Sequence, residues 1–127
     1  MKSQELRLGN WVMGNKPYQI DITNLVSFEY YEKIGTEYCQ PIQLTEEWLF
    51  MFGFEKTKTR HLRIKIGMSS NKLETIYLRM YIYRGEVGGS IAKMTTKIQY
   101  VHELQNLYFA LTGEELVAEP TCITKIN

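Results

Sequence analysis

Two stretches of strict alternation constrain this chain more than anything else in it. In His61-Leu62-Arg63-Ile64-Lys65-Ile66, the residues Leu62, Ile64 and Ile66 share one face while His61, Arg63 and Lys65 share the other. That is the period-two pattern of a half-buried strand. Beyond a turn at Ser69-Ser70-Asn71-Lys72, Ile76, Leu78, Met80 and Ile82 alternate with Tyr77, Arg79, Tyr81 and Tyr83. The two strands are expected to pair. Gly85, Gly88 and Gly89 mark a second turn, and a third strand over Ser90 to Gln99 completes an antiparallel meander.

The segments on either side read differently. Leu6 to Met13, a Gly14-Asn15 turn and Tyr18 to Ile22 predict a β-hairpin, with Gly and Asn supplying the positive φ angles. Asn24 to Tyr38 is rich in β-branched and aromatic residues, with a turn at Lys33-Ile34-Gly35, and predicts one or two further strands. Thr45 is a good N-cap, Glu46 and Glu47 suit a first helical turn, and Gly53 is a stop, so a short helix is expected there, held by Trp48, Leu49 and Phe52. A longer helix spans Val101 to Thr112, where Val101, Leu104, Leu107, Tyr108 and Leu111 recur at helical period and Gly113 follows as C-cap. Leu107 and Leu111 are both expected to be buried. Past Pro120, only Cys122, Ile123 and Ile126 hint at an edge strand.

The predicted fold class is therefore α+β: an antiparallel sheet or partly closed barrel with one short and one longer helix packed on it. A length of 127 residues suits a single domain over 1–127, and 44% hydrophobic residues suffice for a core without disulfide or metal staples. The longest apolar run, Trp48 to Phe54, is far short of a membrane span. The opening residues alternate polar and apolar and lack the continuous apolar stretch of an export signal. Only Cys39 and Cys122 are present, and no Asn-x-Ser/Thr acceptor occurs. Together these point to a reduced, cytoplasmic setting.

Catalytic signals are thin, and no enzyme is expected. His61 opens a strand on its polar face, and His102 starts the last helix without the HExxH spacing or a second ligand. The pairs Glu46-Glu47 and Glu114-Glu115 point in different directions along a helix and are explained by the helix dipole or by solvation. Gly85-Glu86-Val87-Gly88-Gly89-Ser90 lacks the Lys-Ser/Thr of a P-loop and reads as a flexible turn. No metal site and no cofactor are expected.

Charge is more informative. From Lys56 to Tyr100 ten basic residues face two acidic ones, leaving +8 in a chain whose net charge is +1. The polar side of the central hairpin joins Arg63 and Lys65 to Tyr77, Arg79, Tyr81 and Tyr83. Cations beside aromatic rings on a sheet can neutralise phosphates while bases stack. The competing reading packs these tyrosines beneath the last helix or a second sheet layer, with their hydroxyls reaching water.

Pro41-Ile42-Gln43-Leu44-Thr45-Glu46-Glu47-Trp48-Leu49, continuing to Phe52-Gly53-Phe54, and Tyr100 to Leu116 (YVHELQNLYFALTGEEL) carry a resemblance. With the opening Leu6 to Val12, they resemble a family of small uncharacterised proteins of Bacteroidetes genomes and their prophages. The resemblance implies a bacterial or phage cytoplasmic setting and brings no activity or site residue. Separately, Gly9-Asn10-x-Val12 with its turn resembles the opening of small SH3-like barrels, which serve protein and nucleic-acid partners alike. The leading expectation is a noncatalytic protein-interaction or accessory protein of a mobile element, binding another protein or itself. The alternative is a small nucleic-acid binder using the basic, tyrosine-rich hairpin.

Overall fold

In the computed structural model, residues 1–59, 61–68, 70, 72–83, 86–91 and 94–119 are described, with the backbone alone at 83, 86, 94 and 96. After a 3₁₀ turn at Ser3–Glu5, the chain runs β1 (Trp11–Met13), β2 (Pro17–Gln19), α1 (Ile22–Lys33), α2 (Glu46–Met51), β3 (Glu55–Lys56), β4 (Leu62–Met68), β5 (Thr75–Tyr83), β6 (Glu86–Ile91), β7 (Met94–Thr96) and α3 (Val101–Thr112). The fold is α+β. β1 and β2 form their own two-stranded sheet, while β3 to β7 form a five-stranded antiparallel sheet in sequence order. That sheet stays open and does not close into a barrel.

The alternation of β4 and β5 does what period two requires. Leu62 pairs with Met80, Ile64 with Leu78, Arg63 with Arg79 and Lys65 with Tyr77. After Lys65 the register shifts, so Gly67 faces Ile76 and Ile66 is the extra residue of a bulge. The apolar face carries Leu62, Leu78, Met80 and Val87, which pack with Leu44, Leu49 and Phe52 from the α2 region and with Val101 and Leu104 of α3. α2 begins as expected, with Thr45 Oγ1 accepting the Trp48 N–H.

Four expectations are corrected. Asn24 to Tyr38 is mostly helix: Asp21 and Asn24 cap α1 reciprocally, each side-chain oxygen accepting the other's backbone N–H at 2.8 and 3.0 Å. The Lys33-Ile34-Gly35 turn is real, but it ends that helix, with Gly35 at φ 76°. In the N-terminal hairpin neither Gly14 nor Asn15 has positive φ; a Cβ on Gly14 would stand 2.9 Å from the Tyr18 ring, so close approach explains the glycine. Gly88 and Gly89 are not turn residues but lie inside β6, opposite Tyr81 and Met80, and the segment expected as one strand over Ser90 to Gln99 divides between β6 and β7. Finally, α3 buries Val101 and Leu104, but Leu107 only partly, while Leu111 is 41% exposed. Packing is confined to the helix's first turns, and its far end runs beyond the core. The expected edge strand past Pro120, and Cys122 with it, lie outside the described residues.

A second apolar cluster, Leu6, Val12, Ile20, Phe28 and Cys39, sits under α1 and the N-terminal hairpin. Trp11 and Met13 pack against the main core, with Trp11 against Trp48 at 5.4 Å. A polar seam joins the same two regions. Arg7 reaches Asn106 and Glu115, Asn10 reaches Asn106, and Gln105 reaches Gly9 and Trp11.

Candidate binding surfaces

Alternation in β4 and β5 puts Arg63, Lys65, Tyr77, Arg79 and Tyr81 on the face opposite the core. One cross-strand row runs Glu55, Arg63, Arg79, Ser90 and Thr95 through all five strands. Beside it on one side Lys65 pairs with Tyr77, and on the other Tyr81 pairs with Gly88. Because α3 packs on the apolar face through Val101 and Leu104, the reading that places the tyrosines beneath that helix is overturned. Tyr83 ends β5, and its side chain lies outside the described residues.

The candidates are not equivalent. Arg63 donates from Nε to Glu55 Oε1 at 2.7 Å, and its guanidinium lies 4.1 Å from the centre of the Tyr77 ring. Its charge is matched, and one face of Tyr77 is covered. Arg79 and Lys65 are exposed, and no acidic group among the described residues lies within ion-pair distance of either. Arg79 and Arg63 also stand directly opposite one another, an arrangement that opposes folding.

Tyr81 differs from Tyr77 because its cross-strand partner has no side chain. A Cβ on Gly88 would overlap the Tyr81 phenol, so the ring lies across β6 on the space glycine leaves. His61 flanks it edge-on, with ring centres 6.3 Å apart and planes at 77°. Tyr81 nonetheless remains 37% exposed.

A second surface escapes the alternation argument. On α1, Ile22, Val26, Tyr30 and the capping Ile34 are 69%, 63%, 61% and 55% exposed at successive i, i+4 positions. The opposite side of the helix buries Phe28 and packs Leu25. Apolar residues therefore ring the helix, and no single stripe stands out in the sequence. The signal that could have found it is the Asp21-x-x-Asn24 capping pair followed by Gly35.

The buried titratable groups are held in their neutral forms. Burial pushes the His102 imidazole below its usual range, opposed more weakly by Glu5 and Glu103. Nε2 of His102 stands 3.5 Å from Glu5 Oε1 without hydrogen-bonding geometry, and the ring stacks on Tyr100. Burial pushes the Cys39 thiol up, and burial together with Cys39 pushes the Tyr18 phenol up to about 12. A thiol so placed is a poor nucleophile at neutral pH. Among the described residues, no three His, Cys, Asp or Glu side chains converge as a metal ion requires, and no helix is long and apolar enough to cross a membrane.

Comparison of the chain with family models, with curated proteins and with solved structures finds no match.

Proposed function

We propose that this protein is a noncatalytic interaction module that docks on a protein partner through the outer face of α1. The observation that carries the reading is the line of Ile22, Val26, Tyr30 and Ile34, all more than half exposed on consecutive turns. Single exposed apolar residues need no explanation, but a contiguous line on one helix is the pattern of a helix laid into a groove. Val26 and Tyr30 sit at its centre, so the partner offers an apolar groove with room for an aromatic ring. Glu29 and Lys33 lie between and beside these anchors and would form the polar rim. The inert setting of Cys39 supports a noncatalytic role. A cytoplasmic, mobile-element context is part of the proposal and rests on the resemblance of the 41–54 and 100–116 segments.

A photo-crosslinking amino acid placed at position 26 of the protein in bacterial host cells tests this. The expected product is a discrete protein adduct, which a Tyr30→Asp change on the same chain removes without altering the melting temperature. Failure to form any protease-sensitive adduct from position 26 overturns the reading. An adduct of twice the chain mass would make the partner a second copy.

A further inference from the structure

We propose that the open face of the five-stranded sheet binds single-stranded nucleic acid, with Tyr81 as the base-stacking ring and Arg79 and Lys65 as the phosphate contacts. This surface is separate from α1, and the inference does not depend on the partner proposed there.

Three observations on one face converge. The first is a platform: Tyr81 rests across Gly88 with His61 at its edge and part of its ring open to solvent. An aromatic ring lying on a sheet offers a base a flat apolar surface whatever the base is. The second is charge: Arg79 lies on β5 two residues from Tyr81, on the same side, and Lys65 lies on β4 opposite Tyr77. Neither cation is neutralised by an acid among the described residues. The third is access, since among the described residues α2, α3 and the apolar core occupy the other side of the sheet.

The same geometry sorts the remaining residues. Tyr77 is not a free stacking ring, because Arg63 covers one of its faces, and Arg63 brings no net charge while Glu55 holds it. The Arg63 guanidinium, fixed between carboxylate and ring, can still stack beneath a second base. A duplex would present its phosphates but not its base faces to this surface, so a single strand is the better fit.

The test titrates a fluorescently labelled oligothymidine strand, and a duplex of the same length, with the full chain at two salt concentrations. Preferential binding of the single strand is expected. Tyr81→Ala should weaken it about 5- to 100-fold with an unchanged salt slope, and Tyr81→Phe should keep most of the affinity. Arg79→Ala should lower the slope by about 0.7, the share of one phosphate contact on a single strand. Val117→Ser, at an exposed residue outside both proposed surfaces, should change nothing. Tyr81 is partly exposed, so its variants are checked for unchanged melting before titration. Absence of binding to either strand at low salt with tens of micromolar protein overturns the proposal and leaves the α1 reading standing. Equal binding of both strands, indifferent to Tyr81→Ala, overturns it as well, by reducing the face to a charged patch.

Discussion

Gln105 Oε1 accepts the backbone N–H of Trp11 at 2.8 Å, and the same side chain donates from Nε2 to the Gly9 carbonyl at 3.1 Å. Gln105 is buried, so a single amide satisfies two backbone groups at the seam between α3 and the N-terminal hairpin. Gln105→Leu keeps the bulk and removes both bonds. The Gly9 carbonyl keeps the Gln19 Nε2 donor at 3.1 Å, so the Trp11 N–H is the group left unpaired, at a cost of roughly 1–3 kcal/mol when buried. Urea denaturation should show a clear fall in midpoint, and a midpoint equal to the parent's would mean that water or rearrangement satisfies that group.

Two leucines on the same face of α3, two turns apart, should behave oppositely. Leu104 is wholly buried between α3 and the sheet, whereas Leu111 is largely exposed. Leu104→Ala should lose about 2–5 kcal/mol through lost burial and the cavity left behind. Leu111→Ala should stay within about 0.5 kcal/mol of the parent, as surface changes do. Comparable losses at both sites would mean that the end of the helix packs on something in solution.

Acid should destabilise the protein over a window set by His102 and then Glu5. His102 is depressed below its usual 6.5, first by burial, so as pH falls the unfolded chain takes up a proton that the folded chain refuses. Its contribution is present above about pH 6.5 and is lost as pH falls toward the folded value. Glu5 is lowered from 4.5, chiefly by the Lys2 backbone N–H, and acts in the same direction at lower pH. Denaturation midpoints measured between pH 8 and 5 should decline, and His102→Gln should flatten the upper part of that decline. A parent protein that grows more stable on acidification across this range would contradict the assignment.

What could be read from the sequence follows from where neighbours come from. The β4–β5 alternation was legible because one face of each strand meets a core and the other meets solvent, which writes burial directly into every second residue. The short helix was legible for a local reason too: Thr45, Glu46 and Gly53 act through the backbone next to them. α1 was not, because Leu25 and Phe28 turn inward while Ile22, Val26 and Tyr30 turn outward, and β-branched and aromatic residues on all sides imitate a strand. Nor could spacing reveal Gln105, whose partners lie more than 90 residues away. Arg63, Lys65, Tyr77, Arg79 and Tyr81 share one face, as their alternation implies. Their inequality was hidden, since Tyr77 is covered by Arg63 across β4 and Tyr81 lies over Gly88 across β6.

Gly88 and Gly89 give the sharpest check on the two faces of the sheet, because they are adjacent in β6 and a methyl group added to each points to opposite sides. At Gly89 the new Cβ would stand 2.9 Å from Met80 Sδ and 3.2 Å from Ile98 Cδ1, both in the buried core. Gly89→Ala therefore overpacks the interior and should destabilise by about 1–3 kcal/mol. At Gly88 the atoms nearest the methyl are at the far end of the Tyr81 side chain, which has solvent to move into. Lifting that ring should cost little, and the lower entropy of the unfolded alanine chain offsets part of it, so Gly88→Ala should stay within about 1 kcal/mol of the parent. The two variants should separate in urea midpoint, while near-ultraviolet circular dichroism should register a tyrosine change in Gly88→Ala. Equal destabilisation at both positions would mean that Tyr81 is locked onto β6 as firmly as Met80 is into the core, and that the polar face is packed and not open.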